Sequence, residues 1–160
     1  MTHYLIDKYA SKITSYFYLI NKVIFLHDGE IGPLYNAIPD KYIIVKIQLN
    51  SNVGSLRETY KIATTLDSDI YFVEDDYLHL PDSIRKIASA VSQYGLVTGY
   101  DHLDRYTRTD DISYDRQVKF DFLGGHHWRT AESTCGTYAV SSLLFKRIEH
   151  VIKAFEANDR

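Results

Sequence analysis

The sequence of 160 residues has one cysteine, one tryptophan, three prolines and no long apolar run. Because Cys135 is the only cysteine, an internal disulfide and a zinc site with several thiolates are excluded. No stretch approaches the roughly 20 apolar residues of a membrane span, and the N-terminus lacks the order of a signal peptide. A net charge of -3 without a Lys/Arg run argues against nucleic-acid binding. We therefore expect a cytoplasmic protein with no nucleic-acid partner and no membrane span.

Segments typical of helices and strands alternate along the chain, which favours an α/β fold with crossover helices. The pattern predicts a helix over residues 4–20 and strands over 22–29, 41–49, 70–73 and 96–99. Ser55 and Glu58 have the spacing of a capping box and predict a helix from Ser55 to about Leu66. Further helices are predicted from about Ile84 to Gly95 and from about Leu144 to Phe155. Gly124-Gly125 predicts a hairpin, and residues 101–117 predict a long polar loop.

Three consecutive acids, Glu74, Asp75 and Asp76, directly follow the apolar run of residues 70–73. Adjacent carboxylates repel one another, so the arrangement needs a compensating cation or hydrogen-bond donors. In an open parallel sheet, ligands bind beyond the carboxyl ends of the strands. The triplet therefore predicts a divalent-metal site, although a solvated turn can have the same sequence.

Two more polar groups follow predicted strands. Asp28 precedes Gly29, and a second group contains His126, His127, Arg129 and Glu132. Carboxylates suit a hard cation, a guanidinium suits phosphate, and a spare carboxylate could move a proton, a combination that suits a nucleoside diphosphate. Plainer interpretations stay open, since Asp28 could lie in a solvated turn and the histidines could be ligand-free residues at a strand edge.

Three stretches together resemble the nucleotide-sugar glycosyltransferases of the GT-A fold, especially family-2-like members: LHDG, NSNVGSLRETYKIATTLDSDIYFVEDDYLHLPDSI and HHWRTAESTCGTYAVSSLLFKR. The segment GYDHLDRYTRTDD is also similar to a YDHPDRY stretch of one small subgroup. The resemblance covers about residues 22–148. It implies one domain over residues 1–160 with a Rossmann-like, mostly parallel central sheet flanked by helices and a small hairpin. The first strand of that fold is expected to be shortened or missing, because the chain begins almost directly with the following helix.

The resemblance also implies roles for individual residues. The D-x-D element of the family falls on residues 74–76, so Asp76 is expected to bind Mn²⁺ or Mg²⁺ with His127, which the resemblance makes a second metal ligand. The donor, a UDP- or GDP-sugar, is expected to contact a further set of residues: Asp28, Asn52, Glu74, Asp75 and Arg129.

The expected reaction transfers the sugar, with inversion, to a hydroxyl group of a glycan or another acceptor. Glu132 is the expected catalytic base, Asp101 is a second catalytic candidate, and Asp104 is held in reserve. A degenerate, non-catalytic nucleotide-sugar binding module is the main alternative. A phosphoacceptor receiver domain is a third, but it requires an acidic pair on the first strand and a late lysine that the sequence does not clearly show.

Overall fold

The computed structural model describes residues 22–30, 38–74, 77–101, 118–131, 134 and 136–157. The chain divides into two compact units, the first ending at Ser68 and resuming at Ser142, and the second comprising Asp69 to Ser141. In chain order, the described elements are β1 (Ile24–Asp28), β2 (Ile43–Ile47), α1 (Asn52–Thr64), β3 (Ile70–Phe72), α2 (Ser83–Tyr94), β4 (Leu96–Val97), β5 (Phe120–Leu123), β6 (His126–Arg129), β7 (Tyr138–Val140) and α3 (Ser142–Ala157).

The first unit contains a parallel pair of strands and two helices. Strands β1 and β2 pair in register from Ile24 opposite Ile43 to Asp28 opposite Ile47. Helix α1 contacts both β1 and α3. Because β1 and α1 meet at the end of the strand, the side chain of Asp28 lies beside the start of the helix. There its carboxylate accepts a hydrogen bond from the hydroxyl of Ser55.

The second unit is built on a three-stranded sheet with the order β3-β7-β4. The central strand β7 runs antiparallel to both neighbours, and Val140 is opposite Ile70 on one side and Leu96 on the other. One face of α2 packs on this sheet. A buried cluster in the core of the unit contains Ile87, Ala90, Val91, Val97 and Ala139.

Strands β5 and β6 form the hairpin that the sequence predicts. Its two-residue turn uses Gly124 and Gly125, which have φ angles of 61° and 81°. A turn with two positive φ angles favours glycine, because a Cβ is strained in that conformation. Trp128 on β6 packs against the core of the second unit and donates its indole N–H to the carbonyl of Leu123 at 3.3 Å. Trp128 thereby helps to anchor the hairpin to the core of the second unit.

The strands predicted from apolar runs are confirmed within a few residues, and so is the end of α2 at Gly95. The predicted start of α1 is wrong. Ser51 caps the helix by accepting a hydrogen bond from the N–H of Gly54 at 3.2 Å, whereas the Ser55 hydroxyl donates to Asp28 at 2.6 Å. The predicted helix at residues 4–20 lies outside the described residues, as does nearly all of the predicted loop 101–117.

The fold is mixed α/β, but the expected Rossmann-like, mostly parallel central sheet is not what the described strands form. They belong to three small sheets, and β1 with β2 is their only parallel pair. Parallel neighbours need a crossover connection, usually a helix. Helix α2 provides one from β3 to β4, but β7 is inserted between these strands in the opposite direction. Among the described residues, no helix is long and apolar enough to cross a membrane.

Candidate functional site

Polar residues of the second unit gather at one edge of the β3-β7-β4 sheet. Because β7 is antiparallel to its neighbours, the residues that precede it lie where β3 and β4 end. Glu74 follows β3, residues 98–101 follow β4, and residues 136–137 precede β7. We call this region the β3/β4 edge.

Thr137 connects the segments of the β3/β4 edge. It is 3% exposed, and its hydroxyl oxygen accepts the backbone N–H of Glu74 at 3.0 Å. Its carbonyl accepts the hydroxyl of Thr98 at 2.8 Å, and the Thr98 oxygen accepts the N–H of Tyr100 at 3.2 Å. A continuous set of hydrogen bonds therefore fixes the backbone at Glu74 relative to the segment that leads to Asp101.

The carboxylate of Glu74 lies directly over Gly136. A Cβ on residue 136 would overlap all three atoms of that carboxylate group. The carboxylate can occupy this position only because residue 136 is a glycine and has no side chain. Glu74 is itself exposed, and its side chain can rotate at low cost when it is displaced. The acid triplet thus begins with a carboxylate that the described backbone accommodates at the β3/β4 edge.

Arg129 and Asp101, two of the predicted site residues, form an ion pair with each other. A guanidinium Nη2 of Arg129 donates to Oδ1 of Asp101 at 3.0 Å. The Arg129 side chain is 16% exposed and that of Asp101 is 52% exposed, so the pair lies at the surface with its cation mostly covered. A guanidinium held in this way is a suitable donor for phosphate oxygens.

The pleat of the hairpin separates the residues that the sequence analysis grouped together. Neighbouring side chains of a strand point to opposite faces. His127 and Arg129 are therefore on one face, where the His127 ring meets Phe122 at 5.1 Å between centroids. His126 is on the other face with Trp128, and both line a cavity against α2. A ligand held by Arg129 is therefore on the wrong face of the hairpin for His126.

Aromatic residues that sequence reasoning did not select form two further contacts in the second unit. The rings of Tyr77 and Tyr100 make an edge contact with 5.1 Å between centroids. The hydroxyl of Tyr71 is 2.7 Å from Nε2 of His79. Burial raises the pKa of Tyr71 to about 12 and lowers the pKa of His79. Both groups are therefore held neutral at pH 7.

Asp28 belongs to the first unit, where its carboxylate accepts four hydrogen bonds. Oδ1 accepts the N–H groups of Leu49 at 2.7 Å and Asn50 at 2.9 Å, and Oδ2 accepts the N–H of Ser51 at 3.1 Å and the hydroxyl of Ser55. The hydrogen bond from Ser55 is the largest cause that lowers the pKa of Asp28 to about 2, and the backbone N–H donors lower it further. Burial has the opposite, smaller effect.

This arrangement gives Asp28 a structural task that the sequence analysis did not assign. A carboxylate has about four lone-pair positions, and each of the four donors takes one. Asp28 therefore holds the turn before α1, including Asn50 in a left-handed conformation with φ of 49°. Asn52 is the exposed first residue of that helix.

The remaining predicted site residues, Asp75, Asp76, Asp104 and Glu132, lie outside the described residues. Within the described ranges, no group of three His, Cys, Asp or Glu side chains is arranged to hold a metal ion. Sequence reasoning did not select Thr98, Gly136 and Thr137. The two threonines contribute hydrogen bonds to distant residues, and Gly136 contributes only the space that the Glu74 side chain occupies. The only sequence signal for them is their place within or next to a predicted strand.

Comparisons of the chain with protein-family models, with curated proteins and with solved structures found no match.

Proposed function

We propose that the chain is a metal-dependent glycosyltransferase that moves a sugar from a nucleoside-diphosphate donor to a hydroxyl acceptor. The observation that carries the proposal is the β3/β4 edge of the second unit. There the first acid of the triplet and the Asp101–Arg129 ion pair are connected by the hydrogen bonds of Thr98 and Thr137. A diphosphate needs both kinds of group, namely a cation site and a directed donor for phosphate oxygen.

Arg129 is proposed to bind the donor diphosphate. Its mostly covered side chain is oriented by Asp101, so little rotamer freedom is left to lose on binding. A guanidinium can donate two parallel hydrogen bonds to phosphate, and such charge-assisted bonds are among the stronger ones in proteins. Asp101 is then a positioning residue for Arg129. Glu132 is the proposed base that accepts the proton of the acceptor hydroxyl.

The acid triplet is proposed to hold Mn²⁺ or Mg²⁺ with Asp76 as the principal ligand. The chemistry of the donor set fits, since carboxylate oxygens are the ligands that these hard cations prefer. Gly136 leaves space for the carboxylate of Glu74, the first acid of the triplet. Glu74, Asp75 and Asp76 would hold the ion, which would supply positive charge beside the departing diphosphate. His127 is retained as a proposed further ligand on the face of the hairpin that carries Arg129.

Asp28 and Asn52 belong to the first unit, where the structure gives them different environments. Since the four acceptor positions of Asp28 are filled by the chain itself, its role is to fix the turn at residues 49–51. Asn52 follows this turn and is exposed, and its contact with the donor stays a prediction of the resemblance.

A non-catalytic module that binds a nucleotide sugar is the alternative. It requires the diphosphate-binding groups and no base. The same Arg129 and acid triplet support this alternative, so the two functions differ only in the chemical step after the donor has bound.

The proposal is tested by calorimetry with UDP, GDP and their sugar conjugates, with and without Mn²⁺. We expect Asp76→Asn to remove the metal-dependent part of binding. Arg129→Gln should weaken binding about tenfold or more with or without metal, because a charge-assisted hydrogen bond is lost. Arg147→Gln is the matched control, since it removes an arginine from α3 in the other unit. If no nucleotide binds to the parent protein, both the enzyme and the binding module are ruled out.

Transfer and slow hydrolysis of the donor distinguish the two functions. Glu132→Gln should lower turnover by a factor on the order of 10²–10⁴ and leave donor affinity near that of the parent. Donor binding without transfer or hydrolysis across a broad acceptor panel would favour the binding module.

A further inference from the structure

A second polar site lies on the other face of the hairpin, between its turn and α2. The cavity has a volume of about 160 Å³, and all of its walls belong to the second unit. Its lining is formed by Arg85, Lys86, Ser89, Leu123, Gly124, His126 and Trp128.

Groups that donate hydrogen bonds or carry positive charge converge on this cavity. Arg85 and Ser89 are one helical turn apart on α2, Lys86 is adjacent, and His126 faces them from β6. Within the described part of the chain, the ammonium of Lys86 and the ring of His126 form no hydrogen bond or ion pair. Two cationic side chains next to each other, with an imidazole opposite, favour an anion at the space between them.

Carboxylates near the cavity are already engaged by other groups. Asp82 precedes α2 and pairs with Arg85 at 3.5 Å. Asp121 lies on β5 and accepts the hydroxyl of Tyr94 at 2.8 Å. Neither acid lines the cavity, so no carboxylate among the described residues neutralises Lys86 there.

We propose that this cavity binds phosphate, either as the free anion or as the phosphoryl group of a small phosphomonoester. Lys86 and Arg85 supply charge-assisted hydrogen bonds, and Ser89 and His126 supply further donors. The volume suits a tetrahedral anion with a few waters, and the ring of Trp128 and the side chain of Leu123 form an apolar wall for an organic group. The site is separate from the proposed transferase site, because its residues lie on the opposite face of the hairpin from Arg129.

Trp128 provides a direct measurement, because it is the only tryptophan in the chain and it lines the cavity. Sodium phosphate and glycerol 3-phosphate are titrated separately while Trp128 fluorescence is recorded, against sodium chloride at equal ionic strength. We expect a saturable change with phosphate or the ester and none with chloride. Tighter binding of the ester would identify an organic phosphate as the ligand, and equal or weaker binding would identify the free anion; either result supports the site.

Lys86→Ala should weaken this binding about tenfold or more, because the charge that faces the cavity is lost. Alanine is a strong helix former, so α2 is retained, and circular dichroism checks this. Lys153→Ala, which removes an exposed lysine from α3 in the other unit, and Arg129→Gln should both leave the phosphate response unchanged. The absence of a saturable response in the parent protein, or a response that Lys86→Ala leaves unchanged, would overturn the proposal. A response abolished by Arg129→Gln would assign the anion to the other face and overturn it as well.

Discussion

Replacing Thr137 by valine tests whether one buried hydroxyl fixes the start of the acid triplet. Valine has nearly the same shape, so the substitution mainly removes the oxygen that accepts the N–H of Glu74 at 3.0 Å. A donor left without its partner in a partly buried place costs about 1–3 kcal/mol. Such a loss corresponds to about 5- to 150-fold faster opening at that amide and, for a chain of this size, to a fall in Tm of about 2–4 °C per kcal/mol.

Amide hydrogen exchange read at Glu74 by nuclear magnetic resonance is the decisive assay, with Thr137→Ser as the control. Serine keeps the hydroxyl but loses a buried methyl, which costs about 1 kcal/mol, so a melting curve alone would not separate the two variants. We expect faster exchange at Glu74 in the valine variant and near-parent exchange in the serine variant. Equal exchange rates at Glu74 in the parent and the valine variant would refute the reasoning.

Three further predictions concern the acids and their neighbours. The pKa of Asp28 is about 2 against an ordinary 3.8, so its stabilising effect is complete above pH 3.8 and is lost as the pH falls through about 2. Denaturation at several acid pH values should therefore show that the free energy of unfolding falls less with acid in Asp28→Asn than in the parent. An equal fall in the two proteins would contradict the assignment. Gly136→Ala should displace the carboxylate of Glu74 and weaken Mn²⁺-dependent nucleotide binding with little change in Tm; unchanged affinity would remove Glu74 from the site. Asp101→Asn should lower donor affinity less than Arg129→Gln does, as calorimetry can determine, because it only loosens the guanidinium; the reverse order would give Asp101 a direct contact.

The features that could be predicted from the sequence are those set by neighbouring residues. Apolar runs identified β1, β2 and β3, helical spacing identified α2, and the glycine pair identified the hairpin. Glu74 does follow a strand, as the apolar run of residues 70–73 predicted. These elements depend on local periodicity and turn chemistry, which a window of a few residues contains.

The features that could not be predicted depend on residues far apart in the sequence. Ser51 and Ser55 can both cap a helix. The hydroxyl of Ser55 donates a hydrogen bond to Asp28, whereas Ser51 accepts the N–H of Gly54 and caps α1. The direction of β7 is not encoded in a strand of three residues, so the antiparallel sheet could not be foreseen. The role of Thr137 depends on a partner, Glu74, that is 63 positions away.

The central place of β7 has a consequence for the order of folding. Strands β3 and β4 are each paired with β7 and not with each other, so neither has its sheet partner until the chain has been synthesised through Val140. Before then, two short apolar strands have unpaired backbone groups, and such edges favour association with other chains. Pairing over so long a separation also slows folding, because loop-closure entropy is lost before the contacts form. Substitutions in β7 should therefore reduce the yield of folded protein more than their equilibrium cost in stability suggests.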